Sequence, residues 1–202
     1  MTERAVVRVP GKINLQLSVG PLQPDGYHGL ATVFQAVSLY DEITISRSEK
    51  EGIHITSVGR NEFLPLNNEN LAYKAAEIMA KDFELEGGIE ISIKKEIPIA
   101  GGMAGGSADA GATIVGLDYL FALGLKRDAM EKVGARLGAD VPFTISGGTA
   151  IGTGRGDQIT PVLARGSYNW VLALSSSGLS TDRKSTRLNS SHSSVSRMPS
   201  SA

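Results

Sequence analysis

The stretch Pro98-Ile99-Ala100-Gly101-Gly102-Met103-Ala104-Gly105-Gly106-Ser107-Ala108-Asp109 places four glycines within six positions and runs directly into a largely apolar segment, 110–120. Just upstream, Ile89, Ile91 and Ile93 alternate with polar residues, the period-2 signature of a strand. Downstream, residues 107–123 have the length and composition of a helix. Glycine loses more backbone freedom on folding than any other residue, so four of them between a strand and a helix need a reason. The first turn of a helix carries unpaired N–H groups and a partial positive charge, and a bare backbone lets a phosphate reach them. The Ser107 hydroxyl stands where it would meet a phosphate oxygen or a magnesium ion, which prefers oxygen ligands. Asp109, in the expected first turn, favours the helix start. The alternative for the same residues is a turn that lets helix and strand pack closely. The pattern G-x-x-x-x-G-K-[ST] fails, because Ser107 occupies the lysine position, and G-x-G-x-x-G does not fit either. The stretch is therefore expected to be a phosphate loop of a different kind.

Working outward, Val6, Val7 and Val9 suggest one strand and Ile13, Leu15, Leu17 and Val19 a second, followed by a turn-rich loop, 20–29. Residues 32–39 and 42–47 read as two strands joined at Tyr40-Asp41, and 53–58 as a further short strand. Helices are expected over 68–84, with asparagines as candidate caps, and over 128–137. Later strands are expected at 149–151, 158–162 and 170–174. Strands come first and then mix with helices without regular alternation, which points to the α+β class rather than a doubly wound parallel sheet.

Composition narrows the function. The chain has 202 residues, a formal net charge of −1 and no cysteine. That excludes disulfides and thiolate metal sites and fits a reducing, cytoplasmic setting. No basic footprint of a nucleic-acid binder is present, and no apolar run is long enough for a membrane helix. The last twenty residues, 183–202, hold eight serines, four basic residues and no acid. They cannot bury enough apolar surface to offset their ordering entropy, and are expected to be a disordered tail foreign to the rest of the chain.

Three more segments bear on chemistry. Pro10-Gly11-Lys12-Ile13-Asn14-Leu15 puts a lysine on an apolar strand, with Asn14 leaving the same face two residues on. Asp25-Gly26-Tyr27-His28-Gly29 places an aromatic and a histidine in a tight loop, and Leu137-Gly138-Ala139-Asp140-Val141-Pro142-Phe143 sets one carboxylate among small and apolar residues. Taken singly, the lysine reads as a solvated charge, the aspartate as a turn or cap residue, and the Tyr-His pair as packing.

Taken in order, PGKINL, PDGYHGL, PIAGGMAGGSADA and LGADVPF resemble the GHMP kinases, over about residues 6–181. The resemblance implies an ATP-dependent small-molecule kinase with an N-terminal ATP-binding domain, 1–165, and the start of a C-terminal α+β domain, 166–182. It implies that Pro98, Ile99, Ala100, Gly101, Gly102, Met103, Ala104, Gly105, Gly106, Ser107 and Ala108 wrap the ATP phosphates, that Ser107 helps hold Mg2+, and that Lys12 and Asp140 form the catalytic pair. Phosphoryl transfer asks for positioning and charge neutralisation more than covalent chemistry. An aspartate is a weak base, so its part is to orient the attacking hydroxyl as much as to take its proton.

Within the family, the PDGYH loop and the LGADVPF segment point to a cytidine diphosphate-linked methylerythritol as the small-molecule substrate, phosphorylated on its 2-hydroxyl on the route to isoprenoid precursors. Asn14, Tyr27 and His28 would then line the cytidine site, Tyr27 by stacking and His28 by hydrogen bonding. A nucleotide-binding fragment without turnover, or a family kinase for another substrate, are the alternatives. Two departures are minor: Gly11 stands where the family more often has alanine, and Ala104 where it often has glycine. A larger one comes at Ser177-Gly178-Leu179-Ser180-Thr181, after which the likeness to the family's second domain, with its third glycine-rich motif, stops.

Overall fold

The structure is a computed structural model that describes residues 3–22, 26, 28–59, 64–99 and 101–173. Six strands and four helices follow in the order β1 (Arg4–Leu22), β2 (His28–Ser48), β3 (Ile53–Val58), α1 (Leu71–Asp82), β4 (Gly88–Lys94), α2 (Gly105–Phe121), α3 (Arg127–Ala135), α4 (Val141–Ser146), β5 (Thr149–Thr153) and β6 (Gln158–Pro161). The α+β expectation is met.

One sheet contains all six strands, and β2 is its hub. One edge of β2 pairs antiparallel with β1 from Arg4↔Ser46 to Leu22↔His28. Its other edge is divided. Residues 42–48 pair with β4 and residues 32–35 with β5. β3 lies parallel to β4 and β6 antiparallel to β5. A parallel neighbour needs a crossover, and α1 supplies it. The helices cover one face of the sheet. Ile43 and Ile45 of β2 and Ile89, Ile91 and Ile93 of β4 are buried against Ala72, Ala75, Ala76 and Met79 of α1 and Ile114, Leu117 and Leu120 of α2. α2 is largely apolar because most of its surface is packed, against α1, the sheet, α3 and α4. A methyl at Gly116 would lie 2.4 Å from Ile45 Cδ1, which shows how closely α2 rests on the sheet.

Four expectations change. The two strands expected over 6–19 are one continuous β1, with a register shift between Pro10 and Lys12 that absorbs Pro10-Gly11 as a bulge. Among the described residues β1 pairs on one side only, where the N–H that proline lacks is tolerated. The strands expected over 32–39 and 42–47 are likewise one β2, which runs through Tyr40-Asp41. α2 starts at Gly105, two residues early, because Ala104 takes a left-handed conformation (φ 58°) that turns the chain into the helix. Residues 170–173 form no strand, and Leu174 and the tail 183–202 lie outside the described residues. Of the candidate caps, Asn70 is the one used, its Oδ1 accepting from Ala72 N at 2.8 Å.

Candidate active site

Lys12 directly follows the β1 register shift. Its side chain is buried, and the ammonium donates to Asn14 Oδ1 at 2.8 Å and lies 3.4 Å from Asp140 Oδ2. Two-residue periodicity puts Lys12 and Asn14 on one face, as expected. Asn14 Nδ2 in turn donates to Thr32 Oγ1 (2.7 Å), and that hydroxyl donates to Gln16 O (2.8 Å). The Phe34 ring lies 5.3 Å from the ammonium and stacks on Phe143 at 4.8 Å. A buried ammonium without partners would be costly. Here the amide, the carboxylate and the ring face hold it in one place.

Asp140 is the N-cap residue of α4, but its side chain makes no capping bond. The carboxylate is left for Lys12 and for solvent, at 36% side-chain exposure. Phe143, one turn along, anchors α4 in the core. The structure thus brings together Lys12, Asn14 and Asp140 from two distant segments.

The glycine loop lies beside this pair. Lys12 N donates to Met103 O at 3.1 Å, which ties the strand that carries the lysine to the middle of the loop. Gly102 has φ 74°, a conformation open to glycine at no steric cost. At the head of α2, Ala104 offers no side-chain cap, and the first intrahelical bond runs from Ala108 N to Ala104 O (2.8 Å). The amides of Gly105, Gly106 and Ser107 precede that bond, so the helix leaves them for a ligand. A cleft of about 210 Å³ opens in front of them, lined among others by Leu64, Pro65, Leu71, Pro98, Ile99 and Gly106. Apolar walls next to free amides suit a nucleotide, base on the walls and phosphates on the helix end. Gly11, against Met103 and Ile97 at 3.4–3.5 Å, would also accept alanine in ordinary contact.

The two neighbouring glycines differ. Gly106 is open, with Leu71 Cδ1 the nearest atom to an added methyl at 3.6 Å, whereas at Gly105 a methyl would sit 2.9 Å from Lys95 Nζ. Lys95 was not among the expected site residues. Its ammonium is buried, donating to Asp41 Oδ2 (2.5 Å) and Asp109 Oδ2 (2.6 Å). Because α2 begins at Gly105, Asp109 does not lie in the first turn, where it was expected to favour the helix start. It is buried in the second turn, and burial pushes its carboxyl up to about 8 despite the adjacent ammonium. A signal for this cluster was present: Lys95 continues the phase of Ile89, Ile91 and Ile93, and Asp41 that of Ile43 and Ile45.

His28 opens β2, and its Nδ1 lies 2.8 Å from Gly20 O. Because a carbonyl only accepts, that nitrogen carries the proton. In the neutral ring, Nε2 is then an acceptor. Tyr27 and Ala100 lie outside the described residues. Among the described residues no three of His, Cys, Asp and Glu are grouped to hold a metal, and no helix is long and apolar enough to cross a membrane.

Comparison with known proteins agrees with this geometry. Residues 70–148 match the GHMP kinases N terminal domain. A relative from Mycolicibacterium smegmatis, a 4-diphosphocytidyl-2-C-methyl-D-erythritol kinase, is 50% identical over 182 residues, which are 90% of this chain and 56% of the relative. The chain thus spans little more than half the length of that relative. A solved structure of a 4-(cytidine 5'-diphospho)-2C-methyl-D-erythritol kinase superposes with a TM-score of 0.66 at 32% identity, over 78% of this chain and 55% of the other. The mevalonate kinase of Methanococcus jannaschii, 16% identical with a TM-score of 0.60 over 80% of this chain and 56% of its own, shares the fold. Glycine loop and likeness to these proteins agree: residues 70–148 match the N-terminal domain of the GHMP kinases, and the chain is similar to kinases of that family over about half of their length.

Proposed function

We propose that this chain holds the nucleotide site and the catalytic pair of a kinase that transfers a phosphoryl group from ATP to the 2-hydroxyl of 4-diphosphocytidyl-2-C-methyl-D-erythritol. One observation carries the reading. The Lys12 ammonium stands 3.4 Å from Asp140, on a strand bonded to the glycine loop. The kinase relatives at about 50% identity supply the substrate class.

In this reading the amides of residues 105–107 and the dipole of α2 bind the phosphates. Asp140 accepts a hydrogen bond from the attacking hydroxyl, orients it, and takes its proton as the bond to phosphorus forms. Lys12 pairs with Asp140 at 3.4 Å, which orients the carboxylate, and stabilises charge that develops on the transferred group. Ser107 is the residue of this chain that would help hold a magnesium ion, and such an ion would supply neutralisation of phosphate charge. His28 Nε2, fixed as an acceptor, suits the exocyclic amine of cytosine, and Tyr27 would stack on the ring.

The test is ATP-dependent phosphorylation of that substrate, followed by phosphorus NMR, with wild type and Asp140→Asn. Product from wild type, with turnover lost and ATP binding kept in Asp140→Asn, supports the assignment. Near-normal turnover in Asp140→Asn overturns the role of Asp140. ATP binding without product in wild type favours a nucleotide-binding unit whose chemistry needs more protein.

A further inference from the structure

We infer that Asp41, Lys95 and Asp109 form a positioning device for the glycine loop, with one ammonium clamping both of the loop's ends. The inference rests on the reading that the loop holds ATP phosphates.

The connections are direct. Asp41 stands on β2 between the part paired with β4 and the part paired with β5. Its Oδ1 accepts from Glu96 N (2.7 Å) and Ile97 N (2.8 Å), the last amides before Pro98. These groups leave the sheet ladder at the end of β4, so the carboxylate takes the place of a strand partner and aims the chain into the loop. Its Oδ2 accepts from Lys95. The same ammonium reaches across to Asp109 Oδ2, one turn into α2, and passes beneath Gly105. The loop's entry and its exit are thereby fixed to one charged atom. The loop's middle is held separately, by Lys12 N on Met103 O.

Stability does not account for this choice of residues. All three side chains are at most 1% exposed. Replacing a buried ion cluster by apolar groups of similar volume is often neutral or stabilising. Among the described residues Asp109 Oδ1 has no hydrogen-bond partner, a further cost. What charges give and apolar groups do not is directional geometry, and the atoms that geometry fixes are the amides of residues 105–107.

The experiment compares ATP with adenosine by calorimetry on the full 202-residue chain, because adenosine probes the cleft without the loop. Asp109→Leu should weaken ATP at least tenfold and leave adenosine and the melting temperature close to wild type. Asp109→Asn, which keeps the bond from Lys95, should restore ATP affinity to within about threefold of wild type. Wild type that prefers ATP, together with a folded Asp109→Leu that keeps the same preference, overturns this inference alone. Wild type that binds adenosine as well as ATP overturns the phosphate-loop reading and this inference with it. Should Asp109→Leu not fold, the triple change Asp41→Leu, Lys95→Met, Asp109→Leu replaces it, with the same outcomes.

Discussion

Alanine at Gly105 and alanine at Gly106 should act in opposite directions. Both positions are helical, so each substitution gains roughly 0.5–1 kcal/mol of backbone propensity. At Gly106 nothing offsets the gain, because the added methyl meets only Leu71 Cδ1 at 3.6 Å. At Gly105 the methyl falls 2.9 Å from Lys95 Nζ, 3.2 Å from Ile97 Cγ2 and 3.3 Å from Lys95 Cε. The ammonium cannot retreat, since two carboxylates hold it, and overpacking of this kind costs about 1–3 kcal/mol. With about 2–4 °C per kcal/mol for a chain of this size, Gly106→Ala should melt one to a few degrees above wild type and Gly105→Ala below it. Binding reverses the order of merit for Gly106. Its methyl joins the cleft wall beside the amides of residues 105–107, and a tenfold loss of ATP affinity, about 1.4 kcal/mol, is expected. Thermal melts and calorimetric titration with ATP read the two effects separately. The reasoning is refuted if Gly106→Ala binds ATP like wild type, or if Gly105→Ala melts above wild type.

Other outcomes follow from the same geometry. The raised pKa of Asp109 means that the folded chain keeps a proton the unfolded chain has lost between pH 4 and about 8. Its contribution to stability is therefore present at low pH and lost as pH rises through that window. Urea midpoints at pH 5 and pH 8 should fall with pH in wild type and fall less in Asp109→Asn. Phe143→Ala removes a ring that is 1% exposed and stacked on Phe34, and should cost about 3–5 kcal/mol by urea unfolding. Asn14→Leu takes away the acceptor that fixes Lys12, so turnover should fall while ATP affinity holds; an equal fall in both would mean that Asn14 shapes the nucleotide site instead.

The sequence displays the strand–glycine–helix order and the phase of the isoleucines because these are local. It also displays the shared face of Lys12 and Asn14, which needs only the pleat. Strand continuity through Pro10-Gly11 is not local: proline is tolerated because β1 is an edge strand, and only pairing reveals that. Tyr40-Asp41 resembles a turn until Asp41 is seen to serve the amides of Glu96 and Ile97. The apolar run from Trp170 has the composition of a strand but finds no neighbour to pair with among the described residues, and Val171 lies fully exposed. Asp140 meets Lys12 across 128 positions of sequence. No periodicity brings that pair together; resemblance to a family suggested it.

The divided edge of β2 also imposes an order in time. β1 can zip onto β2 as soon as the first 48 residues exist, but the opposite edge must wait. Residues 42–48 are covered when β4 arrives, whereas Gln35 waits for Thr149, 114 residues later. At synthesis rates of about 5–20 residues per second, that is on the order of ten seconds during which a short run of open strand faces solvent or a chaperone. The run is short, and the α2 helix that shields the neighbouring face is made before β5. A ribosome that stalls between β4 and β5 would expose a nascent chain with half of this edge sealed and half still able to recruit a foreign strand.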